Sequence, residues 1–340
     1  MNVATTLAGR AVFMEKGQIR FSGATADLVG RDDLLRSVFL GSAAPARIRD
    51  RVAVSTNGDS PTPRTRLAVT EVSRRFGGVT AVDGVDLEVG EGQIVGVIGS
   101  NGAGKTTLFD ICSGFLRADA GHLTLDGIDV TELGAADRAD LGLGRVFQDA
   151  RLFPSLTVAE TLATALERHV DVRDPIACIF RVGAVVESEA AVRARVDELI
   201  ALMGLDRYRD AFVSELSTGT RRIVELACAL GHEPRVLLLD EPSSGIAQRE
   251  SEALAGLLLR IRDETGASLA VIEHDIPLVS SIADELVCLH LGRVIARGRP
   301  GAVLEDPAVI ASYLGRDESA IARSGATKKR RPRPLVAAGR

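Results

Sequence analysis

The chain has 340 residues, 46% of them hydrophobic, enough to fill one large α/β domain or two smaller ones. A net charge of −5 gives no general reason to expect nucleic acid as a partner. No stretch approaches the roughly 18 unbroken apolar residues that span a bilayer, and the N-terminus lacks the basic, apolar, small-residue order of a signal peptide. These features predict a cytoplasmic protein. The four cysteines, Cys112, Cys178, Cys228 and Cys288, form no CxxC pair, which argues against a zinc site or disulfide framework and predicts reduced core thiols.

In chain order, the first element is one end of a repetition. Residues 8 to 23, AGRAVFMEKGQIRFSG, align without gaps to residues 283 to 298, ADELVCLHLGRVIARG, with Ala8, Val12, Gly17 and Gly23 matching Ala283, Val287, Gly292 and Gly298. Each stretch reads as two short strands around a turn. With one residue of slippage the match continues between DDLLRSVFLG at 32 to 41 and DPAVIASYLG at 306 to 315, so the order of elements repeats although identities are few. Residues 42 to 65 then lose all periodicity and collect Pro45, Pro61 and Pro63 with Ser, Thr and Asn-Gly, the composition of a linker.

From about Leu67 to Gly315 strands and helices alternate. The runs GQIVGVIG (92 to 99), RVLLLD (235 to 240) and SLAVIEH (268 to 274) are almost continuously apolar, which predicts a largely parallel sheet covered on both faces. A helical pattern follows each run, the βαβ arrangement. Between about 149 and 230 the strand signal disappears, and Val192, Val196, Leu199, Ile200 and Met203 line one helical face, predicting a helical subdomain. Residues 316 to 340 lack a repeating apolar face and include KKRRPRP, expected to be a disordered, solvated basic tail.

Three motifs carry chemistry. GSNGAGKTT at 99 to 107 fits GxxxxGK[ST], placed directly after an apolar strand and opening a helix expected to point Leu108, Ile111 and Phe115 inward. The backbone from Gly99 through Ser100, Asn101, Gly102, Ala103 and Gly104 can curl its N–H groups around a phosphate. Lys105 then reaches the β- and γ-phosphates, Thr106 ligates Mg²⁺, and Thr107 completes the nucleotide-binding stretch. In RVLLLDEPSSG, Asp240 ends a buried strand where it can hold Mg²⁺ through water, and Glu241 is placed to polarise an attacking water. In LSTGTRRIVELACAL at 216 to 230, Ser217 is an N-cap, Gly219 allows close backbone approach, and Ile223, Leu226, Ala227 and Leu230 form the expected buried face.

At this point residues 67 to 315 resemble the ATP-binding cassette family, whose signature motif is LSGGQ. Thr218 and Thr220 depart from that motif, while Ser217 and Gly219 remain. The resemblance implies a P-loop core with a mainly parallel sheet, an N-terminal antiparallel β subdomain and an inserted α-helical subdomain, binding ATP and Mg²⁺ and hydrolysing ATP. It implies that Gln148 in GRVFQDARLFPSLTV is the glutamine loop and a Mg²⁺ sensor, that His274 in VIEHD is the histidine switch, and that Phe76 in RRFGGVTAV stacks on adenine. The family commonly has Asp where Ala247 stands in SSGIAQ, which puts communication between sites in doubt.

The family's unit is a head-to-tail dimer with each ATP between one phosphate loop and the opposing signature helix, so a second cassette is the implied partner. Finer likeness, in RFGGVTAV, VFQDARLFPSLTVAETL, the stretch around DPIACIF and DPAVIASYLG, is to the ATPases of branched-chain amino acid uptake systems, a subfamily that also serves urea and amides. That implies permease subunits, indirectly a solute-binding protein, and attachment to the inner face of the plasma membrane. The alternative is a soluble, non-transport ATPase of the same family acting in translation or DNA repair. Residues 1 to 41 resemble the C-terminal end of a second such cassette, once fused in front or encoded upstream of a misplaced start.

Overall fold

The computed structural model describes residues 10–15, 18–24, 64–148, 152–169, 183–246 and 248–314. An antiparallel hairpin, β1 (Arg10–Glu15) and β2 (Gln18–Ala24), stands as a sheet of its own. Then come β3 (Thr65–Phe76), β4 (Val79–Gly90), β5 (Ile94–Ile98), α1 (Lys105–Cys112), β6 (Ala120–Leu125), β7 (Ile128–Asp129), α2 (Ala135–Asp140) and β8 (Leu143–Val146). Three helices follow, α3 (Val158–Ala165), α4 (Gly183–Met203) and α5 (Thr218–Leu230). The chain returns through β9 (Val236–Asp240), α6 (Gln248–Thr265), β10 (Ser268–Ile272), α7 (Ile276–Ile282), β11 (Glu285–His290), β12 (Arg293–Gly298), α8 (Pro300–Glu305) and α9 (Pro307–Leu314).

Six strands form the central sheet in the order β12-β11-β5-β10-β9-β8, parallel except for the antiparallel edge strand β12. Every residue of β5, β9 and β10 is buried. Alternate residues face opposite ways, as the period of two demands. Val95, Val97, Val236, Leu238, Ala270 and Ile272 share a core with Leu108 and Ile111 of α1 and with Val69 and Leu87 of an antiparallel sheet ordered β4-β3-β6-β7. Ile94, Leu237, Leu239, Leu269 and Val271 share another with Val196, Leu226 and Leu258 of α4, α5 and α6. Each such side chain contributes about 1.5–3 kcal/mol on burial, which explains why the apolar runs become inner strands.

Two details depart from the sequence expectation. Phe115 does not point inward: α1 stops at Cys112, Gly114 turns the chain at φ 79, and the Phe115 ring is left 61% exposed, edge-on to Phe147 at 5.3 Å. On α5 Ile223 is only half-buried, and Arg222 and Val224 are buried instead. Cys112 and Cys288 are buried free thiols, Cys228 is a half-buried one, and Cys178 lies outside the described residues, as do residues 1–9, 25–63 and the tail from 315.

Asp126, in the turn between β6 and β7, joins the two sheets. Its Oδ1 accepts from Arg66 Nη1 of β3 at 2.8 Å, and its Oδ2 from Arg235 Nη1, just ahead of β9, at 2.8 Å. Burial alone would push the carboxyl up, but the Arg235 and Arg66 guanidiniums hold it below the usual carboxylate range. Its contribution is therefore complete above the unfolded carboxylate value near 3.9 and disappears as pH falls through the lowered native one. Asp126→Asn is expected to cost about 2 kcal/mol at neutral pH and to flatten the acid limb of stability, measured by urea unfolding from pH 2 to 7.

Candidate active site

The loops that follow β5, β10, β9 and β8 all leave the same edge of the sheet, so its strand order sets the site. Along that edge stand the 99 to 107 loop, His274, the Asp240–Glu241 pair and Gln148. Asn101, Gly102, Ala103, Gly104, Lys105, Thr106 and Thr107 line a cleft of about 530 Å³ together with Gln148, Glu241, His274 and Val79, Thr80 and Ala81 of β4. Gly99 and Ser100 sit behind it, and their carbonyls accept from Lys105 Nζ at 2.9 and 3.2 Å. Burial pushes the Lys105 ammonium down, while the carboxylates of Glu241 and Asp240 oppose that.

Gly104 caps α1 in the left-handed region, at φ 104, and a Cβ there would meet Ala81 O at 2.2 Å. The loop therefore lies tight against β4, and Gly292, next to Ala81, donates from its N to Ala103 O at 2.9 Å. Only glycine satisfies both the conformation and the approach. Gly104→Ala is expected to weaken nucleotide binding at least ~10-fold by the strain it adds, read by titration with a fluorescent ATP analogue.

Glu241 follows β9 with φ 48, a left-handed turn that swings its side chain over the cleft. Its Oε2 accepts from Gln148 Nε2 at 2.8 Å, and its Oε1 lies 2.7 Å from His274 Nε2. Of the four expected catalytic side chains, Glu241 is thus in direct contact with Gln148 and His274, while Lys105 Nζ is held by the Gly99 and Ser100 carbonyls. Glu273, 1% exposed, supports them from behind: its carboxylate accepts from Ser243 N and Oγ at 2.8 Å and from His274 N at 3.1 Å.

Asp240 is 3% exposed, and burial pushes its carboxyl up. Its Oδ2 is 3.3 Å from Arg145 Nη2, whereas Oδ1 is buried with no hydrogen-bond partner. This orphaned carboxylate oxygen, on the residue before Glu241 and at the sheet edge that also carries the exposed Thr106 and Gln148, fits Mg²⁺, which takes one or two protein oxygens and keeps several waters. Among the described residues no group of three His, Cys, Asp or Glu forms a denser metal site.

Other named residues lie apart. Phe76 is 48% exposed at the end of β3, paired with Val79 of β4 and under the Arg74 guanidinium at 5.1 Å; it does not line the cleft, although Val79 does. Ser217 caps α5, its Oγ accepting from Thr220 N at 3.2 Å, and Gly219 sits where a Cβ would come within 2.9 Å of Glu250 Oε2. Both border a second hollow of about 320 Å³ rather than the nucleotide-sized cleft. Ala247 lies outside the described residues.

Two arginines escaped the sequence reading. Arg222 of α5, 4% exposed, donates to Phe147 O and Gln148 O and, at 3.3 Å, to Glu241 O. Arg145 of β8 bridges Asp110 at 2.7 Å to Asp240. The only sequence signal for Arg222 is a cation on a helix face that is otherwise buried.

The comparisons with known proteins fit this geometry. The family model described as ABC transporter matches residues 82–244, and that of the branched-chain amino acid ATP-binding cassette transporter matches residues 293–319. The high-affinity branched-chain amino acid transport ATP-binding protein BraF of Pseudomonas aeruginosa is 36% identical over 73% of this chain and 97% of its own length. The sulfate/thiosulfate import ATP-binding protein CysA of Burkholderia mallei is 38% identical over 73% of this chain and 67% of its own. Among solved structures, the ADP conformation of MJ1267, an ATP-binding cassette of an ABC transporter, superposes with TM-score 0.64 at 28% identity, covering 74% of this chain and 99% of that one. With the glycine-rich 99 to 107 loop, the buried Asp240 and the Glu241–His274 pair on one sheet edge, the chain belongs to the ATP-binding cassette family as an ATP-hydrolysing subunit of an ABC transporter.

Proposed function

We propose that this subunit energises uptake of branched-chain amino acids or related small solutes such as urea and amides. The observation that carries this reading is the match at the C-terminal end, residues 293–319, to the branched-chain amino acid cassettes, alongside BraF and LivG relatives matched over 97% of their length. The CysA relatives favour a second reading, an oxyanion importer. Deleting the gene and measuring uptake of labelled leucine, urea and sulfate separates them. Loss of leucine or urea uptake alone supports the first reading, and loss of sulfate uptake alone overturns it.

Residues 66 to 315 act as the cassette, with the helical part at about 149 to 230, and Ser217 and Gly219 serve the ATP of an opposing cassette. Their position supports this, because in this fold Ser217 and Gly219 line a hollow of their own and not the cleft formed by the chain's 99 to 107 loop. Gly99 to Thr107 bind the phosphates, and Phe76 with Val79 borders the base. Asp240, Thr106 and Gln148 would hold Mg²⁺, which spreads the negative charge of the triphosphate. Lys105 neutralises charge on the γ-phosphate, Glu241 takes the proton of the attacking water, and His274 and Gln148 hold Glu241 in place. Closing and opening of the two halves drives permease subunits at the inner membrane face, fed by a solute-binding protein. No helix among the described residues is long and apolar enough to cross a membrane.

A further inference from the structure

The hairpin β1–β2 repeats β11–β12 in geometry as well as in sequence. The second hairpin pairs Leu286 with Gly298, Val287 with Arg297 and Cys288 with Ala296; a bulge follows, then Leu289 pairs with Val294 and His290 with Arg293. Subtracting 275 from each number gives Ala11 with Gly23, Val12 with Ser22, Phe13 with Phe21, Met14 with Ile19 and Glu15 with Gln18. Those are the observed pairs of the first hairpin, and its bulge falls at the equivalent step, between Phe13 and Met14. Equal spacing around a turn fixes the innermost pairs, but it does not fix a bulge after the second.

The two copies differ in what covers them. Val287 is fully buried in the core between the sheets, and Val294 packs against the same core. Their counterparts Val12 and Ile19 are 58% and 63% exposed. In the cassette, β11 is sealed because its free edge pairs in parallel with β5, Leu286 opposite Gly96 and Val287 opposite Val97, while β12 lies against β4. That edge of β5 is taken by β11, so this cassette has no place for β1.

We propose that β1–β2 is the closing hairpin of a second ATP-binding cassette core, pairing its β1 edge in parallel with that core's equivalent of β5 and burying Val12 and Ile19. A strand edge flanked by an antiparallel sheet is the surface complementary to this hairpin, as β5 and β4 are to its copy. The segment thereby ties the second cassette, which the split ATP site requires, to this one. The tie works by raising its local concentration rather than by adding contacts at the nucleotide.

The test uses the full chain in its native host with a photo-cross-linking phenylalanine analogue at position 12 or 19, and mass spectrometry of the adducts. Expected are adducts to a cassette sequence other than residues 66 to 315, on the strand preceding its phosphate loop. The mass of the intact species tells whether that core lies on the same, longer polypeptide or on a separate subunit. Adducts confined to this chain's own cassette, adducts to a membrane subunit, or none at either position would overturn the proposal. Cross-linking needs no turnover, so its outcome is independent of the assigned catalytic roles and of the transported solute.

Discussion

Glu241→Gln is expected to lower ATP turnover by about 10³-fold while leaving ATP bound and cassette dimers trapped. The geometry isolates the effect to proton transfer. A glutamine oxygen can still accept from Gln148 Nε2, and its amide can donate to an unprotonated His274 Nε2, so both contacts of the wild-type carboxylate have a counterpart. What is lost is the basic oxygen and one negative charge in the cleft. That charge faces the site of the triphosphate, so its removal is expected to tighten ATP binding slightly. Steady-state phosphate release, nucleotide retention on a desalting column and size-exclusion elution with ATP together check this. Turnover within ~3-fold of the wild type would remove Glu241 from the role of base.

Much of this site could be read from the sequence because its parts are contiguous. The phosphate loop carries its strand, glycines, lysine and helix within one stretch, and β9 delivers Asp240 and Glu241 together. The apolar runs also identified β5, β9 and β10 within two residues at each end, since strands buried on both faces tolerate almost nothing polar. Side-chain direction was harder. Phe115 fits the helical period after Leu108 and Ile111, yet Gly114 ends that period before it can apply. The sheet-joining role of Asp126 depends on Arg66 and Arg235, 60 and 109 residues away, and no local pattern announces it. Contacts to main-chain carbonyls leave even less trace, because an acceptor carbonyl is present at every residue.

Arg222 is the case with the largest consequence, and Arg222→Lys is expected to lower kcat ~10- to 100-fold with the KM for ATP within about 2-fold. One buried guanidinium on the helix capped by Ser217 donates to the carbonyls of Phe147, Gln148 and Glu241, while Glu225 on the same helix balances its charge at 2.6 Å. The planar fork makes three bonds in different directions at once. A lysine ammonium sits at one point and holds at most part of this set. Any shift of α5 is therefore transmitted directly to the backbones that carry the glutamine and the base. The phosphate loop has none of these bonds, so binding is spared. Arg222 acts as a positioning residue, and a double-mutant cycle with Gln148→Ala distinguishes that from a general loss of packing. If Arg222 works through Gln148 and Glu241, the double variant turns over about as fast as the slower single variant. If Arg222 merely supports the fold, the two losses multiply and the melting temperature falls with them.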